Sequence, residues 1–284
     1  MEIKKRIYLY LFLLIIAVAT MVMLRQTIRR GSQKPYLPRD FREIKASGTM
    51  KVVTDYNTIG YFISGDSIRG FQVEMMQALE KEWGIKVELL LENRLKESLE
   101  GLWEQQYDLV ARNIPVNIAL KDSFAFTRPI TLNKQVLVQR KAAYNNGIEP
   151  IRRHLNLAKK TIVLPAGSPA ILRLNNLSHE IGDTILIREE PLYETEQLVM
   201  LVASGNIDFT VCDEKVAERL SETIPEIDIE TDISFTQLES WAVRKDAPVL
   251  LDSLNRWLDR FQKTKQFKRL YRKYYSAKDR KSVV

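Results

Sequence analysis

A carboxylate at the end of a hydrophobic strand pattern is the clearest candidate for chemistry in this sequence. Residues 207–213 alternate between large apolar and smaller or polar side chains, and the run ends at Asp213. Such a strand can be covered by helices on both faces, as in an α/β sheet. Ligands of open α/β sheets bind beyond the carboxyl ends of strands, so Asp213 is a candidate for holding a cationic group. The helical pattern from Glu214 onward leaves a second role open, the N-cap of a helix, and both roles can coexist.

The stretch that leads to Asp213 has a counterpart about a hundred residues earlier. Residues 102–111 and 201–210 share one plan: the end of a helix, a short turn, and a strand that begins with an Asp next to a hydrophobic residue. Two similar halves indicate two lobes of like topology with a cleft between them.

From residue 50 onward, strand and helix patterns alternate. Apolar runs with strand character occur at 50–55, 85–92, 108–111, 132–141, 161–164, 184–188 and 207–213, and helical periodicity occurs at 71–83, 95–104 and 194–203. This order predicts parallel or mixed sheets covered by helices. Two apolar stripes, at 254–261 and 267–274, predict a closing pair of amphipathic helices.

Charge is concentrated near the carboxyl end. The 284 residues carry a formal net charge of +7, and 45% of them are hydrophobic, which suits a folded protein with two lobes of ordinary size. Residues 256–281 hold eleven Lys or Arg against two Asp, a net +9, so the remainder is about −2. No RNA-binding aromatic signature or Cys/His finger accompanies this stretch, so we expect no nucleic-acid partner. A solvated helix face is favoured, with a contact to anionic lipid or cell-wall polymer as the alternative.

One cysteine and two histidines leave little scope for metal or thiol chemistry. A single cysteine excludes an internal disulfide, and so few ligands argue against zinc. Cys212 lies within the buried strand pattern, where a small hydrophobic role is favoured over a nucleophilic one. We predict no metal and no cofactor.

The first thirty residues have the layout of a membrane anchor or export signal. Basic residues flank eighteen uncharged residues, 7–24, a length that just reaches the roughly 17 to 25 residues needed to span a bilayer. Ala17-Val18-Ala19 also fits a signal-peptide cleavage site. We favour an uncleaved single-pass helix within 1–30 and a linker at 31–41, which places the globular part in the periplasm or outside the bacterial cell membrane.

Several short motifs in a fixed order resemble the family 3 extracellular solute-binding proteins. The resemblance covers about residues 42–276. Its motifs are Val53-Thr54-Asp55, Gly70-Phe71-Gln72-Val73-Glu74, Tyr107-Asp108-Leu109-Val110, Phe126-Thr127-Arg128-Pro129, Gly167-Ser168, the run from Ile207 to Asp213, and a tail, 241–245 to 267–275, that is similar to the closing segment of the family. The resemblance implies an α/β, two-lobed clamshell of the periplasmic-binding-protein type II, each lobe a mixed sheet flanked by helices. Lobe one would be 42–132 plus 236–284 and lobe two 133–235, with a hinge near 131–134 and 232–237.

Three further segments are similar to the solute-binding module of the membrane-bound lytic murein transglycosylase F family: residues 113–116, 132–140 and 234–237. In that family the module precedes a lysozyme-like catalytic domain, for which we expect no room in a chain that stops at Val284. Glu239-Ser240 echoes a catalytic Glu-Ser pair but lies in a strand-like run before Trp241. We therefore predict no catalytic residues and no enzyme activity.

The resemblance also implies candidate ligand-binding residues. Acids at the positions of Asp213 and Asp55 hold the ammonium group of the ligand in amino-acid-binding relatives. The Gly167-Ser168 turn offers backbone N–H groups to a carboxylate, although an ordinary helix start with Pro169 in its first turn explains it equally well. The Arg that grips the ligand carboxylate in those relatives has no equivalent; Lys121 lies nearby, and a lysine does not replace a two-pronged guanidinium. The remaining candidates are Arg112, its neighbour Asn113, and, as a further substitute for the missing arginine, Arg128.

These observations predict a membrane-tethered extracytoplasmic sensor or receptor that closes on a small amino-acid-like, peptide-like or muropeptide-like ligand. The alternative is a non-catalytic or regulatory relative of a peptidoglycan lytic transglycosylase. Expected partners are the ligand, the membrane through the N-terminal helix, and a cell-wall enzyme or a transporter. A third hypothesis is a degenerate clamshell that binds another protein through its basic helix.

Overall fold

The computed structural model describes residues 39–276 and three residues of the preceding segment, Ile16, Thr20 and Met21. Among these residues, no helix combines the length and the apolar character that a membrane crossing requires. Apart from those three positions, the membrane helix predicted at 7–24 lies outside the described residues.

Strands and helices alternate along the described chain. The first segment contains α1 (Phe41–Ser47), β1 (Thr49–Thr54), β2 (Phe62–Ser64), β3 (Ser67–Arg69), α2 (Phe71–Trp83), β4 (Lys86–Leu91), α3 (Leu95–Trp103), β5 (Leu109–Pro115), α4 (Ile118–Ser123), β6 (Phe124–Phe126) and β7 (Thr131–Asn133). The middle segment contains β8 (Gln135–Arg140), β9 (Thr161–Pro165), α5 (Ala170–Ile181), β10 (Leu186–Glu190), α6 (Thr195–Ala203), β11 (Thr210–Asp213), α7 (Glu214–Ser221) and β12 (Ile227–Asp232). The chain closes with β13 (Gln237–Arg244), α8 (Pro248–Phe261) and α9 (Lys265–Tyr275).

The first and last segments share one six-stranded sheet, and we call them together the large-sheet part. Its strand order is β4-β1-β5-β13-β6, with β7 also paired to β13. β4, β1 and β5 run parallel, and β13 runs antiparallel to its neighbours. The sheet is therefore mixed, and helices cover both faces. Val52 packs in a core with α2, α8 and α9, whereas its neighbour Val53 packs in a second core with α3.

The middle segment forms the small-sheet part. β8 lies between β11 and β12, antiparallel to both, and β9 pairs in parallel with β10. The N–H of Val163 in β9 donates to the carbonyl of Phe209 just before β11, at 3.0 Å, which connects the two ladders. Buried apolar side chains of α6 and α7 form one core cluster with this sheet, and those of α5 form another.

The apolar run at 132–141, predicted as one strand, is two strands that belong to different sheets. β7 pairs with β13 in the large-sheet part, and β8 pairs with β11 and β12 in the small-sheet part. Lys134 separates them, and its ammonium group bonds Asp232 at 2.8 Å and pairs with Glu214 at 3.2 Å. The chain therefore passes from one sheet to the other at this residue.

The strand predicted at 207–213 is shorter than expected, since β11 begins at Thr210. The guanidinium of Arg140 donates to the carbonyl groups of Val202 and Ile207, at 3.0 and 2.9 Å, and pairs with Asp208 at 2.7 Å. Because Ile207 and Asp208 are engaged by a side chain, they approach the sheet as a turn and not as ladder residues. The strand still ends at Asp213, as the alternation predicts.

Candidate functional site

A cavity of about 290 Å³ lies where strands of both parts end. It is lined by residues after β1 and β4, by the end of β5, by the first residues of α5 and α6, and by the end of β11. Apart from β11, which runs antiparallel to β8, these are the carboxyl ends of parallel strands and the amino ends of the helices that follow them, where ligands bind in open α/β folds. This volume suits a small solute, since pockets for drug-sized ligands start at about 300 Å³. Polar lining residues include Asp55, Asn57, Asn93, Arg112, Asn113, Gln135, Ser168, Glu194, Thr195, Glu196, Gln197 and Asp213.

Asp213 lines this cavity as the last residue of β11. It occupies the N-cap position of α7, but its side chain makes no capping hydrogen bond, so the carboxylate is not used by the helix. It also forms no ion pair with any residue in the described range 39–276. Burial, and then the charge of Asp55, raise the pKa of Asp213 to about 6, while Arg112 acts in the opposite direction. The carboxylate therefore lacks a partner of opposite charge in direct contact.

Asp55 follows β1 and holds the arginine of the cavity. Its Oδ2 lies 3.3 Å from Nη2 of Arg112 and accepts a hydrogen bond from Nδ2 of Asn57 at 2.9 Å. The other terminal nitrogen of Arg112 donates to the carbonyl groups of Asn93, at 2.9 Å, and Glu92, at 3.4 Å. Arg112 is thus fixed by three partners of the large-sheet part.

Asn113 is held by a network that reaches into the core. Its Oδ1 accepts from Nε2 of Gln72 at 3.2 Å, and its Nδ2 donates to the hydroxyl of Tyr275 at 3.0 Å. Oε1 of Gln72 in turn accepts from the indole N–H of Trp241 at 3.0 Å. Burial raises the pKa of the Tyr275 phenol well above its usual value, so this hydroxyl stays neutral. The network fixes the Asn113 amide at the cavity wall.

The Gly167-Ser168 turn is committed to partners within the small-sheet part. The N–H of Gly167 donates to the carboxylate of Glu189 at 2.9 Å, and the N–H of Ser168 donates to the carbonyl of Pro165 at 3.1 Å. The Ser168 hydroxyl accepts from the N–H of Ala170 at 3.3 Å. Ser168 lines the cavity and Gly167 does not. The predicted anion site is therefore occupied by a carboxylate of the protein itself.

Two cationic residues proposed from the sequence, Lys121 and Arg128, do not line the cavity. Lys121 is exposed on α4 and does not line the cavity. Arg128, predicted as a substitute for the missing arginine, is exposed and pairs with Asp259 of α8 at 3.2 Å. Five of the seven predicted ligand-binding residues thus meet at one cavity, namely Asp55, Arg112, Asn113, Ser168 and Asp213, while Lys121 and Gly167 stand apart. That the five bind a ligand remains a prediction.

Sequence reasoning missed two acids at the start of α6. Glu194 and Glu196 line the cavity, and burial is the main cause that raises the pKa of each. Oε1 of Glu196 accepts a hydrogen bond from the backbone N–H of Thr58 at 2.7 Å, which joins the small-sheet part to the large-sheet part. The available signal was the acidic first turn of a helix that follows a strand, the same arrangement that singled out Asp213.

Glu239 is a third acid whose setting the sequence did not predict. It is 3% exposed on β13, opposite Thr131 and Pro115 in the ladder. Its carboxyl group accepts from the Thr131 hydroxyl at 2.8 Å and from Nδ2 of Asn133 at 3.3 Å. Burial, and then the charge of Asp213, raise the pKa of Glu239 to about 8, so the group is mostly protonated at neutral pH. Thr131 and Asn133 are the ends of β7, directly before the passage between the two sheets.

A smaller void of about 40 Å³ adjoins the cavity, sharing Asp55, Arg112, Asn113 and Asp213 with it and adding Lys215. The Lys215 ammonium lies 3.0 Å from Glu218 and 3.3 Å from Glu214 on α7. Arg112 and Lys215, the cations that line these two spaces, are thus both paired with other carboxylates. The Cys212 thiol beside it is buried, and burial raises its pKa well above the usual value, which keeps it protonated and unreactive.

Comparison with known proteins decides the family. The profile of the bacterial extracellular solute-binding proteins, family 3, matches residues 42–277. The chain belongs to this family. The resemblance drawn from the motifs is thereby confirmed, and the matched range includes every residue of the cavity wall.

Curated relatives include two proteins named membrane-bound lytic murein transglycosylase F. The one from Desulfosudis oleivorans is 27% identical over 239 residues, which cover 84% of this chain and 51% of that protein. The one from Pseudomonas putida strain GB-1 is 25% identical over 246 residues, 85% of this chain and 49% of that protein. The chain spans about half the length of these relatives, and the match is to their solute-binding module and not to a catalytic one.

Solved structures share the fold. The P235GK mutant of ArgBP from T. maritima superposes with a TM-score of 0.70 at 20% identity, covering 83% of this chain and 98% of that one. An ancestral arginine-binding protein bound to arginine gives 0.70 at 21% identity, with 80% and 98% covered. The ancestral amino acid-binding protein AncCDT-1 gives 0.69 at 22%, with 82% and 98% covered. The predicted α/β class with mixed sheets, as in periplasmic amino-acid-binding proteins, is confirmed.

Proposed function

We propose that this chain is a membrane-tethered, extracytoplasmic solute-binding protein of the sensor or receptor type. It closes on a small amino-acid-like or peptide-like ligand that carries a cationic group. The observation that carries the proposal is the Asp213 carboxylate, which lines a cavity between two sheet systems and has no partner of opposite charge. A buried charge without such a partner is costly, and a bound cation offsets that cost.

The proposed closure uses the two sheet systems as lobes. Lobe one comprises 42–132 plus 236–284 and lobe two 133–235, with hinges near 131–134 and 232–237. Support comes from the strands, since those of the large sheet fall within 49–133 and 237–244 and those of the small sheets within 135–232. The membrane attachment rests on the apolar run at 7–24.

Calorimetric titration of the full chain in detergent against amino acids, diamines, short peptides and muropeptides tests the proposal. We expect heat of binding with at least one solute that bears an ammonium or guanidinium group. The Asp213→Asn variant should lose at least tenfold in affinity for it, since hydrogen bonds to a charged group contribute about 1.5–3 kcal/mol. Absence of heat with every solute would refute a receptor function.

A second candidate function is regulation of cell-wall turnover by a non-catalytic relative of the lytic transglycosylases. It is supported by the match to the solute-binding module of the transglycosylase F proteins. Purified peptidoglycan incubated with the chain alone should release no soluble fragments. A lytic enzyme mixed with the chain should change its rate when a muropeptide is added, and an unchanged rate would exclude this function.

A further inference from the structure

The cavity wall carries far more acidic than basic side chains. Four carboxylates line it, on Asp55, Glu194, Glu196 and Asp213, against one guanidinium, on Arg112, a formal charge of −3 when all are ionised. Glu239 responds to the charge of Asp213 but is mostly protonated at neutral pH, so it adds no further charge to the wall. A zwitterionic amino acid with a neutral side chain brings no net charge to this wall. One with a cationic side chain brings a single positive charge and a carboxylate that needs its own cation or N–H donors.

The guanidinium and the turn that the sequence suggested for holding that carboxylate are already engaged. The Arg112 guanidinium is held by Asp55 and two backbone carbonyl groups. The N–H groups of Gly167 and Ser168 donate to Glu189 and to the carbonyl of Pro165. A ligand carboxylate at this turn would displace the Glu189 carboxylate and would lie in the field of the other acids.

The acids, in contrast, have no cation of the described chain in direct contact at two places on the wall. One is the end of β11, where the side chain of Asp213 has neither a hydrogen bond nor an ion pair within residues 39–276. The other is the start of α6, where Glu196 accepts a hydrogen bond from the backbone N–H of Thr58 and burial raises the pKa of both Glu194 and Glu196. Arg94 and Arg112 act on Glu194 through their charge alone, without an ion pair to it among the described residues. A ligand with a cation at each end can serve both places.

We propose that the ligand is a compact dication without a free carboxylate, of the diamine or amino-guanidine class. This inference rests on the proposed binding function, keeps the cationic group of its ligand and removes the carboxylate. One cationic end pairs with Asp213 and the other with the acids of α6. The methylene chain between them lies along the apolar lining residues, which include Leu95, Pro115, Pro169, Ala170, Val211 and Val216.

Two pairs of compounds that differ only in the carboxylate test the inference. Cadaverine is compared with lysine, and agmatine with arginine, by calorimetry on the full chain in detergent at pH 7.5. We expect each decarboxylated compound to bind at least tenfold more tightly than its amino acid. Equal or tighter binding of the amino acids would overturn the inference and leave the proposed function in place.

Absence of binding with all four compounds is also a decisive result. If a neutral solute or a muropeptide binds instead, the inference fails and the proposed function stands. If nothing binds, both fail. The Asp213→Asn variant should lose at least tenfold in affinity for cadaverine and agmatine, whereas Asp66→Asn, on the exposed turn between β2 and β3, should bind them as the unmodified chain does. A thermal unfolding curve of each variant separates loss of binding from loss of folding.

Discussion

At the scale of single residues, two acids of this site, Asp213 and Glu239, have no cation in direct contact among the described residues. Glu239 is buried and accepts hydrogen bonds from Thr131 and Asn133, yet no cation contacts it in the described chain. Its pKa is raised to about 8 by burial and by Asp213, and the pKa of Asp213 is raised to about 6 by burial and by Asp55. Acids with raised pKa values take up protons when the protein folds or closes, so both should show in pH profiles.

The first prediction concerns Glu239 and stability. Its pKa rises from 4.5 in the unfolded chain to about 8 in the folded one, so its contribution to stability is fully present below pH 4.5 and is lost as pH rises through 8. The Glu239→Gln variant cannot ionise and should escape this loss. At pH 8.5 its free energy of unfolding should exceed that of the unmodified chain by on the order of 2–4 kcal/mol, since one pKa unit corresponds to about 1.4 kcal/mol.

Urea unfolding at pH 5 and pH 8.5 measures this difference. The control is Glu230→Gln on β12, where the side chain is 75% exposed. Its effect should stay within about 0.5 kcal/mol at both pH values, as for most surface substitutions. A Glu239→Gln variant that is less stable than the unmodified chain at pH 8.5 would contradict the prediction.

The second prediction concerns Glu189, whose carboxylate accepts a hydrogen bond from the N–H of Gly167. The Glu189→Ala variant frees this donor and removes a negative charge close to the turn. Affinity for lysine and arginine should therefore rise about three- to tenfold, while affinity for cadaverine and agmatine should change less than twofold. Calorimetry on the same four compounds measures both. An unchanged preference between the members of each pair would show that this turn does not exclude carboxylates.

At the scale of elements, the start of α2 positions one wall of the cavity. The N–H groups of Phe71 and Gln72 donate to the carbonyl groups of Ile59 and Gly60, at 2.7 and 3.0 Å, so the loop after β1 caps the helix. Gly70 has φ of 143°, and a Cβ there would lie 2.1 Å from the carbonyl oxygen of Gly60. Only glycine allows this close approach of two backbone segments.

The third prediction follows from that contact. Gly70→Ala should lower the free energy of unfolding by about 2–4 kcal/mol, because backbone must move and strain at a special conformation is costly. It should also weaken binding of the cationic ligand, since the displaced loop carries Asn57, a hydrogen-bond donor to Asp55. The matched control is Gly65→Ala, also in the left-handed region but with open space around it. Its expected cost is about 1 kcal/mol. Equal costs for the two variants would contradict the account.

Elements are also the level at which sequence reasoning succeeded most. Period-two alternation places Asp213 at a strand end, and α2 was predicted with the bounds 71–83 that the structure has. The contacts between distant elements were not predictable. Nothing in the local pattern of Gly167-Ser168 indicates that the carboxylate of Glu189, twenty-two residues after Gly167, accepts the hydrogen bond of the Gly167 N–H. The start of β11 at Thr210 depends likewise on Arg140, which lies in another strand. Propensity and periodicity describe a segment, whereas ion pairs and ladders between segments arise only after folding.

At the scale of the whole molecule, the two sheet systems are joined across the cavity by polar contacts. Thr58 donates its N–H to Glu196 at 2.7 Å, and the Arg94 guanidinium donates to the carbonyl of Pro191. Against these contacts stands the repulsion between Asp55 of the large-sheet part and Asp213 of the small-sheet part, which contributes to the raised pKa of Asp213. In the proposed closure, the balance between closed and open forms would therefore depend on whether Asp213 is ionised or paired with a ligand cation.

The last prediction is that the ligand-free protein closes as pH falls. In the proposed open form Asp213 would be solvated and its pKa would return toward 3.8, whereas in the present structure, taken as the closed form, it is about 6. Closure therefore takes up a proton, and it is favoured below about pH 4 and disfavoured as pH rises through 6. The difference of about two pKa units sets an upper bound of about 3 kcal/mol on the shift in the equilibrium.

The radius of gyration from small-angle scattering should decrease between pH 8 and pH 5. A dication that binds at pH 8 should cause the same decrease, because it replaces the proton as the partner of Asp213. The Asp213→Asn variant should be compact at both pH values, and a variant that retained the full pH response would show that other groups control closure.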